Sequence, residues 1–305
     1  MSIPTTRAKE KAEIKIYEER CTGCGSCVSV CKDFSLTTEG GKVQINSTPI
    51  FGCIGCGHCM AICPTDAIEV SGREISPAEI YNLPKKEDAC NYSQMLALFQ
   101  RRRSVREFKD KAIDTDIIEQ ILAAAQTAPM GLPPSDVHVV VFDNKEKTRA
   151  FAHDFCEYLK NMKWFISDWF LSLMRPFWGK KNDEIFRGFV KPAMNNFMQF
   201  MDKGENIITY DAPLAMYFYA SEYADPADPI VAATYAMISG ESLGLGSCMV
   251  GSIHPMIQNG KKARKFREKY GIKNTCSQGL LVVFGYPAVV YKKGINRTFA
   301  SVNRL

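Results

Sequence analysis

The chain has 305 residues, a length that suggests two domains. Its net charge of +5 comes from 38 basic and 33 acidic residues spread along the chain, a dispersal that argues against nucleic-acid binding. Residues 1–20 hold no apolar signal core, so the expected location is the reducing cytoplasm and a disulfide framework is disfavoured.

Eight of the twelve cysteines form two copies of C-x2-C-x2-C-x3-C. The first is Cys21, Cys24, Cys27 and Cys31; the second is Cys53, Cys56, Cys59 and Cys63, each 32 positions after its counterpart. Zinc also takes C-x2-C pairs, but as two pairs across a longer loop rather than as a duplicated run of four. The repeat resembles a bacterial-type ferredoxin with two [4Fe-4S] clusters, in which the fourth cysteine of each run ligates the other cluster. That resemblance assigns Cys21, Cys24, Cys27 and Cys63 to one cluster, and Cys53, Cys56, Cys59 and Cys31 to the second. Lys32 follows Cys31 where proline is usual, a change expected to affect the local turn or the second cluster's potential but not the ligand set. Cys90, Cys156, Cys248 and Cys276 are scattered and read as small buried or incidental thiols.

The expected organisation is a cluster-bearing domain over 1–75, a linker over 76–92 with Pro77 and Pro84, and a second domain over 93–305. Residues 1–75 carry 8 basic against 9 acidic residues, and the remainder 30 against 24. Each oxidised cluster with its thiolates adds about −2 to the first domain. An acidic electron-carrying unit then sits beside a basic one suited to an anionic cofactor.

In the second domain, Ser93 is a candidate cap for a helix reaching Arg102. Asp114 caps the next, whose apolar Ile117, Ile118, Ile121, Leu122 and Ala125 recur at helical spacing, with a stop before Pro129. Val137–Phe142 and Pro213–Ala220 read as strands. A helix is expected over Ile230–Leu243, then strands at Cys248–Gly251 and Leu280–Gly285. Gly240, Gly244 and Gly246 close a helix and are not a Rossmann fingerprint. The pattern indicates an α+β layer structure. Trp164–Trp178 holds all three tryptophans. It is too short and too charged to span a bilayer, and reads as a buried core or dimer helix, a lid over an aromatic pocket, or an interfacial helix. His58, His138, His153 and His254 lack ligand spacing, and no Ser–His–Asp or paired-carboxylate arrangement is visible.

The run RRRSVREF at 101–108 can fork several arginines onto one phosphate. With APMGLPPSDVHVVV at 128–141, GLGSCMVG at 244–251 and VVFGYP at 282–287, in that order, it resembles the nitroreductase family of FMN flavoproteins. With the cysteine repeat in front, the whole resembles a ferredoxin–nitroreductase fusion. The resemblance implies FMN contacts from Arg102, Arg103, Ser104 and Arg106, from Pro129, Met130, Gly131 and Leu132 beside the ring, from Met249, Val250 and Gly251, and from Arg297 and Lys293 at the phosphate. It further implies a homodimer with FMN at the interface. Pro133 and Ser135-Asp136-Val137 depart from the Asn and Gln-Pro-Trp common in that family.

The expected function is an FMN-dependent oxidoreductase whose clusters relay single electrons to or from FMN. A ferredoxin or NAD(P)H is the donor, and a nitroaromatic, quinone or enone is the small-molecule acceptor. No membrane and no nucleic acid is expected as a partner, and no catalytic side chain is assigned. The rival reading is a non-enzymatic electron-transfer or redox-sensing protein with a degenerate flavin site.

Overall fold

The computed structural model describes residues 3–305. The cysteine-rich part is built from β1 (Glu13–Ile16), α1 (Ser26–Val30), β2 (Leu36–Glu39), β3 (Lys42–Ile45), α2 (His58–Ile62) and β4 (Ile68–Ser71). β1 pairs with β4 and β2 with β3, both antiparallel. The two short helices start alike. Gly25 and Gly57 precede them at φ 72° in both cases, a left-handed conformation that only glycine adopts without steric cost. The apolar core here is small, with Leu36, Val43, Met60, Ile68 and Val70 packed among the cysteines.

Residues 77–91 are exposed throughout. The helix α3 (Tyr92–Arg101) begins two residues earlier than a cap at Ser93 would have set it. Asn91 is the cap: its Oδ1 accepts from Gln94 N at 3.0 Å while Gln94 Oε1 accepts from Asn91 N at 3.0 Å, a reciprocal capping box. α4 (Thr115–Gln126) starts after Asp114 and ends before Pro129, burying Ile118, Ile121 and Ala125. Then come β5 (Val137–Phe142), α5 (Lys145–Lys160), α6 (Asp168–Ile185), a π-helical turn at Phe186–Val190, and α7 (Lys191–Asp202). The chain ends its regular structure with β6 (Leu214–Ala220), α8 (Asp228–Ser242), β7 (Gly246–Val250), α9 (Ile253–Met256), α10 (Lys261–Lys269) and β8 (Gly279–Gly285).

The main sheet runs β5-β6-β8-β7 with every pairing antiparallel, which makes the class α+β. All seven residues of β6 and all seven of β8 are buried because helices cover both faces. One face carries Phe151, Phe155, Leu159, Met194 and Phe266 from α5, α7 and α10. The other carries α4 and α8, where Ala232, Ala233 and Ala236 let the helix approach closely.

The tryptophan segment is not core within one chain. Leu171 is fully buried, but Trp169 is 72% and Phe177 78% exposed. Gly179 (φ 78°, ψ 169°) interrupts α6, and Trp178 stacks on Phe186 at 4.7 Å across that break. Among the described residues no helix is long and apolar enough to cross a membrane.

Candidate functional site

The eight repeat cysteines separate into two groups of four. Cys21, Cys24, Cys27 and Cys63 line one small cavity, together with Ile16, Val43 and Ala67. The other four influence one another electrostatically: Cys59 feels Cys53, Cys56 and Cys31. Burial pushes the Cys59 thiol up to about 12, and those three neighbours add to it. Cys27 is likewise raised by burial first and then by Cys63 and Cys21. Crowded thiols of this kind ionise only when positive charge enters among them, which is what iron supplies. Among the described residues no three metal-binding side chains converge on a single-ion site. The two groups are those that crossed ligation requires.

Lys32 leaves the turn after Cys31 unchanged. Cys31 sits at φ −81°, ψ 96° and Cys63, which precedes Pro64, at φ −73°, ψ 116°. Both are extended, the conformation a following proline enforces, and here Lys32 reaches it without the ring. His58, the first residue of α2, is exposed.

In the second half, a cleft of about 990 Å³ lies between the end of α3, the start of β7 and the segment 287–297. Arg102, Arg103, Lys293 and Arg297 all line it. With Arg101 and Lys292, which also line it, six cations and one carboxylate, Glu241, surround the cleft, a balance that suits an anion of high charge. The arginine run is fixed there by the sheet. Ser104 bridges to Ser247, Val105 N donates to Ser247 O at 3.0 Å, and Lys109 N donates to Tyr286 O at 2.8 Å. The run thus lies beside β7 and β8 as an added edge.

Gly246 is where this arrangement has least tolerance, because a Cβ there would meet Val105 Cγ2 at 2.6 Å. Its place in the sequence suggests a turn glycine, but its use is close packing under the arginine run. Arg106 does not line the cleft; it lies 5.9 Å from the Tyr210 ring and beside Cys248. Burial raises the Cys248 thiol, which Arg106 and Ser104 partly offset.

Pro129, Met130, Gly131 and Leu132 lie elsewhere. Gly131 N donates to Asp228 Oδ1 at 3.0 Å at the start of α8, and Met130 is exposed. This turn leads into Val137, which pairs with Ala220 at one end of the sheet, whereas the cleft lies by Gly246, which pairs with Gly285 at the other end. β5 and β7 are also opposite edges, three interstrand spacings of about 4.8 Å apart. Within one chain the turn and the cleft therefore sit at diagonal corners. Met249 is exposed on β7, Val250 is buried, and Gly251 follows at the sheet end nearer the turn.

Residues not singled out from the sequence join the two halves: Thr6, Arg7 and Arg73 bond to residues 133–136. Thr6 and Arg7 precede the repeat and Arg73 follows it, and no local pattern in the sequence marks any of the three.

A model described as the nitroreductase family matches residues 99–286, and one described as a 4Fe-4S dicluster domain matches residues 20–68. No curated protein matches the chain. Among solved structures, a nitroreductase with bound FMN from Desulfitobacterium hafniense DCB-2 has a TM-score of 0.50 at 19% identity, covering 69% of this chain and 98% of that one. A nitroreductase with bound FMN from Bacteroides fragilis NCTC 9343 has a TM-score of 0.48 at 18% identity, covering 69% and 99%. The first of these likenesses is one of fold.

Proposed function

The chain belongs to the nitroreductase family, with a 4Fe-4S dicluster domain ahead of the family's own fold, and from that premise we propose an FMN-dependent oxidoreductase fed through two [4Fe-4S] clusters. Residues 1–75 carry the clusters, 76–92 tether them, and 93–305 hold the flavin. One cluster takes Cys21, Cys24, Cys27 and Cys63, and the other Cys31, Cys53, Cys56 and Cys59.

The observation that carries the reading is the cleft that gathers Arg102, Arg103, Lys293 and Arg297. Those side chains neutralise the FMN phosphate, and Ser104 adds a hydroxyl beside them. Pro129–Leu132 flank the ring, with Gly251 offering backbone without a Cβ and Met249 an exposed apolar side chain. Arg106 acts from beneath β7, supporting the run rather than entering the cleft.

Because cleft and turn lie at opposite corners of the sheet, a complete flavin site needs the turn of a second copy, and the working form is a homodimer. FMN, when bound, exchanges single electrons on one side and a hydride on the other. The protein's part is to bind and orient it, which requires no dedicated acid. The donor is a low-potential one-electron carrier such as a ferredoxin, and the acceptor a nitroaromatic, quinone or activated enone.

The test is anaerobic mixing of the purified protein with NADH, NADPH or reduced ferredoxin while cluster and flavin absorbance are followed. Bleaching by ferredoxin, clusters before flavin, is the expected result. Rapid flavin bleaching by a nicotinamide with the clusters following would reverse the direction of flow. Protein that binds no flavin at all would refute the enzyme reading.

A further inference from the structure

The two halves of the cysteine repeat are related by a shift of 32 residues, and one residue breaks that relation where it matters. In the first half, a Cβ at Gly23 would lie 2.2 Å from Gly41 O. In the second, a Cβ at Gly55 would lie 3.3 Å from Arg73 Cβ. Arg73 thus stands where the first half has Gly41.

Its guanidinium is buried, and it ties together segments from both sides of the molecule. Nε donates to Ile54 O at 3.0 Å, inside the loop between Cys53 and Cys56. Nη1 donates to Ile3 O at 3.0 Å and Glu10 O at 2.8 Å, fixing the amino-terminal segment. Nη2 donates to Pro133 O at 2.8 Å, immediately after the Pro129–Leu132 turn.

The amino-terminal segment makes the same crossing. Thr6 N donates to Asp136 Oδ2 at 2.9 Å, and its hydroxyl donates to Oδ1. Arg7 Nη1 donates to Ser135 O at 2.8 Å and pairs with Glu74. Asp136 is itself held from within the second half by Ser221 Oγ at 2.5 Å.

We propose that Arg73 is the positioning residue for electron transfer between the iron–sulfur half and the flavin. It makes the cluster of Cys31, Cys53, Cys56 and Cys59 the inner one, facing the flavin turn. The cluster of Cys21, Cys24, Cys27 and Cys63 is then the outer one, which meets the donor. This rests on the FMN reading above.

Two physical effects act together. The bonds from Ile54 O to Pro133 O fix the separation between the inner cluster's loop and the turn, and transfer rates fall steeply with separation. A permanent cation beside Cys53 also favours the more negative, reduced form of the inner cluster and raises its potential. Each passage moves one electron: the inner cluster is oxidised by one, the flavin is reduced by one, and the loss is made good through the outer cluster from the one-electron donor. No proton moves at Arg73.

The test uses anaerobically prepared, full-length protein loaded with iron and FMN. Arg73→Gln is compared with wild type by EPR-monitored redox titration, and by stopped-flow transfer from clusters to flavin after reduction with reduced methyl viologen. Expected are a more negative potential for one cluster alone, the one that survives Cys63→Ser, and transfer slowed by about tenfold or more. The double variant Thr6→Ala, Arg7→Ala removes the side-chain bonds by which the amino-terminal segment, acting as a strap, holds Ser135 and Asp136, and leaves the Arg73 bond to Ile54 O in the cluster loop in place. It should slow transfer with both potentials unchanged, and it keeps the idea testable if Arg73→Gln fails to fold. Amide exchange should rise at 130–136 in both variants.

Unchanged potentials in Arg73→Gln, a shift in the outer cluster instead, or wild-type transfer rates in the strap variant would overturn the proposal. Potentials and amide exchange are read without flavin, so absence of flavin would count against the proposed function and leave the Arg73 assignment to its own result.

Discussion

Replacing Gly246 by alanine tests whether the arginine run is held by packing against β7. A Cβ at that position lies 2.6 Å from Val105 Cγ2, 2.7 Å from Val105 Cβ and 2.9 Å from Val105 Cγ1. Because Cβ itself is one of the three, no rotamer of Val105 relieves the clash. The backbone of residues 104–106 must move off the strand. Overpacking of this kind costs about 1–3 kcal/mol, and loss of the Val105 N to Ser247 O bond adds about 1 kcal/mol. A total near 3 kcal/mol lowers the melting temperature of a domain this size by roughly 6–12 °C. The same displacement carries Arg103 and Ser104 with it, so flavin retention should weaken in parallel. The assay is a thermal scan of the loaded protein beside a fluorescence titration with FMN. Adding Val105→Ala should recover only part of both effects, since it removes two of the three contacts and leaves the third. Wild-type melting and wild-type flavin affinity in Gly246→Ala would refute the packing argument.

Three further outcomes are expected. Cys63→Ser should remove the cluster of Cys21, Cys24 and Cys27 and leave the other, taking iron content from about eight to about four per chain; loss of the cluster of Cys53, Cys56 and Cys59 instead would show uncrossed ligation. Arg297→Ala should weaken FMN binding by about 10- to 100-fold, as expected for one charge-assisted contact of roughly 1.5–3 kcal/mol, and unchanged affinity in the titration would remove Arg297 from the phosphate site. Asp136 is raised by burial, but hydrogen bonds from Ser221 and Thr6 outweigh that and hold it below its ordinary value of 3.8. A depressed carboxyl contributes fully above its unfolded value and loses that contribution only as pH falls through its folded one. The stability difference between wild type and Asp136→Asn, from urea unfolding, should therefore be the same at pH 6 and pH 8; a difference that shrinks toward pH 6 would contradict it.

What the sequence disclosed, and what it hid, follows from the range of the forces involved. The cysteine spacing is local chemistry, so a segment fit for two clusters was legible from the sequence, and the matching 4Fe-4S dicluster model covers it. Val137–Phe142 forms a strand with the ends its pattern predicts because β-branched residues between polar neighbours leave little choice. Asp114 was legible as a helix start, whereas Ser93 misled because Asn91, with Gln94 three residues on, makes the stronger reciprocal cap. Arg102, Arg103, Lys293 and Arg297 were proposed together from resemblance, and the fold brings them to one cleft although nearly 200 residues separate them. The diagonal placement of Pro129–Leu132 depends on strand order, which no local pattern encodes. Arg73 was invisible for the same reason: its partners Ile3, Ile54 and Pro133 are close only after folding.

The stretch 77–91, exposed from end to end, divides labour with the contacts of Thr6, Arg7 and Arg73. The peptide tether sets how often the two parts meet, as an effective concentration fixed by its length. The contacts set how they lie when they have met. A protease nick in the tether would therefore leave two fragments that still fit each other, dissociable by dilution yet correctly registered. On this arrangement, covalent continuity supplies only residence, and the parts could equally be made as separate polypeptides at sufficient concentration.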